Sequence, residues 1–249
     1  MQDLVLLALA AFLAGITNAI AGGGTFLTFP ALVLSGVPPV AANATSAVAV
    51  FPGYLSSALG FRREIGSLRP RDTIRLLAIT LLGGLAGSLL LLVSSASAFA
   101  VVVPFLLLFA TTAFLLGPRL RPGGEGQADE VQKQGNFSLL AVSIYGGYFN
   151  GGLGIMLLAV FSFWGWTNLN LMNGVKNGLS FALSAISVVV FSLGGLVLWP
   201  QALWMMLFAI LGGYAGSVLA RRIAPWIVRA FVAVVGYSMA AYFLWDLVA

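Results

Sequence analysis

The chain contains no cysteine and no histidine, and only 8% of its residues are charged. Each absence closes off a class of chemistry. Without thiols there is no disulfide framework, no thiolate nucleophile and no sulfur-ligated metal. Without imidazole there is no His-type zinc site, no haem ligation, and no side chain suited to relaying protons near neutrality. The scarcity of charge is as telling, because an ordinary soluble domain is about 25% charged. With 60% of 249 residues hydrophobic, a water-soluble fold could not hide the apolar surface, since exposed area grows too fast with mass. The chain needs a lipid solvent. Its first residues, Met1-Gln2-Asp3, bring no basic stretch and no small-residue cleavage site, so Leu4 onward is read as a mature helix and not a signal peptide.

The few charges are clustered. Arg62, Arg63, Arg69, Arg71 and Arg75 share one polar stretch, Arg119, Arg121 and Lys133 a second, and Arg221, Arg222 and Arg229 a third. Only Lys176 sits elsewhere. Basic clusters between apolar spans mark cytoplasmic loops, so the net charge of +5 speaks for membrane topology and against nucleic-acid binding. Segments long enough to cross a bilayer core of about 30 Å run over 41–61, 73–93, 98–117, 173–195, 201–220 and 227–246. With the Arg-rich loops 62–75, 118–137 and 221–229 inside, the regions 4–36 and 138–166 must each begin and end on one side. Both are too long for one span and are broken by glycines. They predict two helical hairpins, either re-entrant or made of two short crossings, one dipping in from each face.

Two motifs recur. Leu82-Gly83-Gly84-Leu85-Ala86-Gly87-Ser88 echoes Leu211-Gly212-Gly213-Tyr214-Ala215-Gly216-Ser217, and Asn18 before Gly22-Gly23-Gly24 echoes Asn150 before Gly151-Gly152 and Gly154. Internal repetition is read before any other pattern. The expected fold is an all-α polytopic membrane protein of two inverted-topology repeats, each a broken or re-entrant hairpin followed by three transmembrane helices. The halves are 1–117 and 138–249, joined by a cytoplasmic linker at 118–137.

The chemistry is expected at the breaks. Backbone that leaves a helix at membrane depth persists only where protein or a wet cavity satisfies it, and glycine lets a ligand approach closely. A helix starting near Thr25 aims free N–H groups and partial positive charge at Gly22, Gly23 and Gly24 beside Asn18, which suits an anion. Pro30 falls within the first two turns of that helix. Gly151, Gly152 and Gly154 beside Asn150 form the counterpart, with a half-helix starting near Ile155. The same glycines also suit close helix packing, the preferred reading for Gly83, Gly87, Gly212 and Gly216. Each post-hairpin span opens on polar residues, Asn43 and Thr45 in one half, Asn173, Lys176 and Asn177 in the other. These amides and hydroxyls can donate to an oxyanion or bond between helices. Lys176 either lines an anion path or snorkels to the cytoplasmic interface. Trp164, Trp166, Trp199, Trp204, Trp226 and Trp245 fall near span ends, as an interfacial belt does.

No Asp or Glu lies inside a predicted span, whereas a cation carrier normally needs an acidic ligand there. The expected lining is neutral to positive, so the expected partners are the bilayer and a small anionic substrate. No cofactor, metal or nucleic acid is expected, and a homo-oligomer is compatible with the sequence. A secondary transporter leads. A passive anion channel is the alternative, and an intramembrane enzyme lacks a nucleophile beside a base.

Gly15-Ile16-Thr17-Asn18-Ala19-Ile20-Ala21-Gly22-Gly23-Gly24, followed by Leu27-Thr28-Phe29-Pro30-Ala31-Leu32, resembles the first signature of the TauE/SafE sulfite exporter family, also called TSUP. Gly36-Val37-Pro38-Pro39 and Ala41-Ala42-Asn43-Ala44-Thr45 are similar to its next segment. Gly146-Gly147-Tyr148-Phe149-Asn150-Gly151-Gly152-Leu153-Gly154 and Asn173-Gly174-Val175-Lys176-Asn177 look like the matching signature of the second half. The second half departs from many members in having no proline after its glycines. The resemblance implies carriage of sulfite, organosulfonates or related sulfur-containing anions through a bacterial inner membrane.

Overall fold

The computed structural model describes residues 2–20, 23–116, 133–219 and 225–248. Gly22, Arg119, Arg121, Arg221 and Arg222, with most of the expected linker, lie outside the described residues. Those described form helices and no strands. In chain order these are α1 (Gln2–Ile20), α2 (Thr25–Leu34), α3 (Pro39–Gly60), the single turn α4 (Arg62–Ile65), α5 (Pro70–Val93) and α6 (Ala96–Leu116). There follow α7 (Lys133–Tyr148), α8 (Leu153–Phe163), α9 (Leu169–Leu193), α10 (Trp199–Leu219) and α11 (Pro225–Val248).

Local chemistry sets these boundaries. Pro39 and Pro70 open α3 and α5 at the first helical position, where the missing N–H is no loss. Asn168 caps α9, its side chain accepting from the amides of Asn170 and Leu171 at 3.1 Å. Helices α2, α8 and α9 all close on a left-handed glycine, Gly36, Gly165 and Gly195. In each case the following amide (Val37, Trp166 or Leu196) reaches back to the carbonyl of Leu32, Phe161 or Phe191, the six-to-one bond of a Schellman stop.

Four stretches, Pro70–Val93, Ala96–Ala113, Asn170–Leu193 and Ala230–Leu247, have the length and apolarity of a membrane crossing. Helices α3 and α10, with 22 and 21 residues, have the length as well. By contrast α2 and α8 have 10 and 11 residues, or about 15 Å at 1.5 Å per residue, half of what a crossing needs. They complete hairpins. Trp164, just past α8, packs on Gly135 and donates to the Ser138 hydroxyl at 3.3 Å, so α8 ends beside the start of α7.

The packing pairs the two halves. Helix α1 lies against α10 and α5 against α7; α3 crosses α9 and α6 crosses α11. The Leu198 amide, just past α9, donates to Thr45 near the start of α3, while Gly174 near the start of α9 faces Phe61 just past α3. These two contacts show α3 and α9 running antiparallel. Small residues make the tight pairs. A Cβ on Gly15 would strike the Ala209 carbonyl and one on Gly212 the Phe12 carbonyl, while Gly83 and Gly87 meet Ser143 and Ile144 in the same way. Backbones approach this closely in lipid because dispersion contact must stand in for the absent hydrophobic drive.

Phenylalanines fill the centre. Phe29 of α2 meets Phe149 edge-on at 5.7 Å and stacks on Phe243 of α11 at 5.9 Å. Phe51 stacks on Phe181 at 4.9 Å where α3 crosses α9. Outside, Leu82, Phe105, Leu203 and Val234 are exposed, as lipid-facing residues are. The tryptophan belt needs one correction. Trp199, Trp204, Trp226 and Trp245 are exposed, but Trp166 is buried and stacks on Phe161 at 4.9 Å. The Schellman turn at Gly165 folds the chain back over α8 and carries Trp166 inward.

Candidate functional site

Both helix interruptions occur where the glycines stand. In the first, Gly23 takes φ 87° and its carbonyl accepts from the Phe26 amide at 3.0 Å. In the second, Gly152 takes φ 75° and accepts from the Ile155 amide at 3.0 Å. A positive φ of this kind strains any residue with a Cβ. The breaks touch, since a Cβ on Gly152 would lie 3.4 Å from the Phe26 ring. The first turns of α2 and α8 therefore converge. The amides of Gly152 and Gly154 find no acceptor among the described residues, as expected for orphan donors at a helix N-terminus.

A cavity lies between them, lined by Asn18, Gly23, Thr25, Gly53, Tyr54, Asn150, Gly152, Leu153, Gly154, Lys176 and Asn177. Its free space is about 20 Å³, room for roughly one water. Asn18 reaches across its break, its Oδ1 accepting from the Gly24 amide at 2.7 Å. Asn150 is held at both ends of its carboxamide. Tyr54 of α3 donates to Oδ1 at 3.3 Å, and Nδ2 donates to Ser184 of α9 at 3.3 Å. Tyr145 anchors the same break by donating to the Gly151 carbonyl.

Lys176 supplies the positive charge. It is 9% exposed, and Nζ donates to Asn173 Oδ1 at 3.3 Å. No carboxylate pairs with it among the described residues. An ammonium withdrawn from water with one neutral partner is poorly compensated. Asn177 beside it is buried, and its carboxamide has no hydrogen-bond partner among the described residues. The wall thus offers a cation, two backbone amides and a carboxamide to any guest. Donors converging without a facing carboxylate suit a small oxyanion.

Of the residues singled out by sequence, Asn18, Gly23, Thr25, Asn150, Gly152, Gly154, Lys176 and Asn177 come together on the wall. Gly22 lies outside the described residues, and the others are held in contacts of their own. Gly24 binds Asn18, Gly151 takes the Tyr145 hydroxyl, and Asn173 holds Lys176. Asn43 donates to the Tyr148 carbonyl at 2.8 Å, and Thr45 accepts from Leu198 at 3.1 Å. Gly53, Tyr54 and Leu153 were not anticipated. The first two had a signal: Pro52-Gly53-Tyr54 interrupts the apolar run of a spanning helix with a residue that carries a polar tip.

Comparison with known proteins agrees with this architecture. The family model described as "Sulfite exporter TauE/SafE" matches residues 7–243. A probable membrane transporter protein of Haemophilus influenzae is 32% identical, over 98% of this chain and 95% of its own length. The probable membrane transporter protein YfcA of Escherichia coli strain K12 is 30% identical, over 95% of this chain and 87% of its own. The probable membrane transporter protein ORF9 of a Sinorhizobium species is 28% identical, over 99% and 96%. No solved structure matches. With the family match running through both helix breaks and nearly the whole length shared with these relatives, the chain belongs to the TauE/SafE sulfite exporter family and is a multi-pass membrane transporter.

Proposed function

We propose that the protein is a secondary transporter of a small sulfur-containing anion, sulfite or an organosulfonate, bound between the two glycine breaks. One observation carries the reading: Lys176, buried and without a carboxylate partner among the described residues, faces a cavity between two half-helix N-termini. An anion there would pair the ammonium and accept from the idle amides of Gly152 and Gly154. The family's description supports the sulfur-anion class.

Alternating access follows from inverted repeats, one half over 1–117 and the other over 138–249. The antiparallel crossing of α3 and α9 and the exchanged pairs α1–α10 and α5–α7 support that arrangement. With the Arg-rich loops 62–75, 118–137 and 221–229 at the cytoplasmic face of an inner membrane, each half would open in turn.

The test is sulfite counterflow in proteoliposomes, together with anion-dependent thermal stabilisation of the purified chain by sulfite, ethanesulfonate, thiosulfate, sulfate and carboxylates. The expected result is saturable trans-accelerated flux and stabilisation by one sulfur anion. Both should be lost in Asn18→Ala with Asn150→Ala. Unchanged affinity in that double variant would reject the site.

A further inference from the structure

Two helix junctions of this fold correspond. The recurring glycine motifs match Gly84 of α5 with Gly213 of α10, and the polar openings at Asn43 and Asn173 match α3 with α9. Ten residues past those asparagines stand Gly53 and Leu183. The packing follows the same correspondence. Helix α5 lies against α9 and α10 against α3, and Phe51 and Phe181, eight residues past the two asparagines, stack on each other. Yet the junctions are filled differently. Between α5 and α9 the slot is closed, because a Cβ on Gly84 would lie 3.0 Å from Leu183 Cγ and 3.1 Å from Ile186 Cγ2. Between α3 and α10 a Cβ on Gly53 or on Gly213 would meet nothing within 4 Å among the described residues. Leu183 is fully buried, whereas Gly53 and Gly213 are half-buried. Glycine stands in one half where the other places a leucine, and the room for that side chain is left open.

The open slot is also the apolar one. Ala49 and Val50 stand one turn before Gly53, and Ala209 one turn before Gly213, all three buried. The positions matching Val50 and Ala209 at the closed slot are Ser180 and Thr80. Water is poorly held beside such walls, since a buried water needs roughly two to four polar partners. The slot is continuous with the cavity, because Gly53 lies on the cavity wall. Lys176 and Asn177 share that wall, 9% and 8% exposed. Among the described residues the lysine has no carboxylate and the Asn177 carboxamide has no hydrogen-bond partner. A polar head site thus opens into an apolar gap.

We infer that the gap between Gly53 of α3 and Gly213 of α10 is a subsite for the hydrocarbon chain of an organosulfonate whose head lies against Lys176. A sulfonate carries its acceptor oxygens on one side of sulfur and carbon on the other. One molecule can therefore meet a convergent set of donors and an apolar slot at once. Each methylene withdrawn from water into the slot strengthens binding roughly threefold. The two glycines set the length of chain accepted, and a leucine at either would leave room for the head alone. The subsite presupposes the anion site proposed above.

The test is thermal stabilisation of the purified full chain by methane-, ethane-, propane- and butanesulfonate, read as the concentration giving half the maximal shift. In the unmodified chain that concentration should fall roughly threefold for each added methylene. In Gly213→Leu, whose side chain fills the gap from α10, the series should go flat. A flat series in the unmodified chain overturns the subsite. A series as steep in Gly213→Leu overturns it too, because the gain then comes from partition into detergent. Should Gly213→Leu fail to fold, Gly53→Leu, which copies Leu183, answers from the other wall. It is read as the ratio of butane- to methanesulfonate within the variant: a ratio near one supports the subsite, and the wild-type ratio refutes it. Sulfite and methanesulfonate binding with a flat series would sink the subsite and leave the proposed function standing. No stabilisation by any sulfur anion would count against the proposed function. The alkanoates from acetate to pentanoate, which carry the same chains on a carboxylate, then read the gap by the same criteria, and a flat alkanoate series overturns it.

Discussion

The aliphatic stem of Lys176 lies across Gly154: a Cβ on that glycine would sit 3.2 Å from Lys176 Cδ. Glycine at the second position of α8 thus leaves room for the lysine of α9 to bring its ammonium into the cavity. A methyl group would push a flexible side chain, not a backbone, so Gly154→Ala should fold. It should weaken sulfite about three- to tenfold, or roughly 1 kcal/mol, measured as the concentration giving half-maximal stabilisation. Gly154→Val should weaken it further. Wild-type affinity in both would show that the lysine's position is immaterial.

Removing the charge should separate binding from folding. Lys176→Met keeps the stem and deletes a buried ammonium whose one partner among the described residues is neutral. Replacing even a buried ion pair with apolar residues ranges from neutral to about 4 kcal/mol stabilising, and an ammonium without a counter-ion has less attraction to lose. The apo protein should therefore melt no lower than wild type, while stabilisation by sulfite disappears. A lower melting temperature with sulfite stabilisation retained would assign Lys176 to the frame and not to the guest.

The carboxamide of Asn150 ties α3 to α9 through Tyr54 and Ser184. Tyr54→Phe removes one tie and keeps the ring. Because the two residues share a bond, a double-mutant cycle with Asn150→Ala should give a coupling energy of about 0.5–1.5 kcal/mol in sulfite binding. Strict additivity would mean that the hydroxyl acts on the guest directly, without orienting Asn150.

The adjacent glycines of α10 should behave oppositely. Gly212 meets the Phe12 backbone, whereas nothing lies within 4 Å of a Cβ on Gly213. Gly212→Val should therefore lose about 3–5 kcal/mol and yield little monodisperse protein. Gly213→Ala should be neutral or gain up to about 1 kcal/mol from helix propensity. Gly87→Val, which drives into Ile144 across the α5–α7 pair, should resemble the Gly212 variant. Thermal melts in detergent read all three, and equal melts for the two α10 variants would contradict the packing.

Much of the site was legible before any coordinates. Runs of glycine beside a single asparagine, inside segments too long for one span, marked Gly23 and Gly152 as places where the helix stops. The scarcity of acids marked the sign of the guest. What stayed hidden was which polar residues reach the cavity and which are held elsewhere. Asn43, Thr45 and Asn173 have the same composition signal as Asn177, yet they bond to Tyr148, Leu198 and Lys176. A side chain's own helix gives its direction; only the neighbouring helix says whether space or a partner waits there.

The sequence by itself determined the solvent, the helical class, the positions of the breaks and the small-residue faces. Each follows from local composition: apolar length against bilayer thickness, glycine against helix, small side chains against close approach. The tertiary structure alone decided that the two breaks touch, that Tyr54 joins them from a distant span, and that Trp166 turns inward. Those outcomes depend on how α3 and α9 cross and which faces they present, and no periodicity along one segment encodes the rotation of its neighbour.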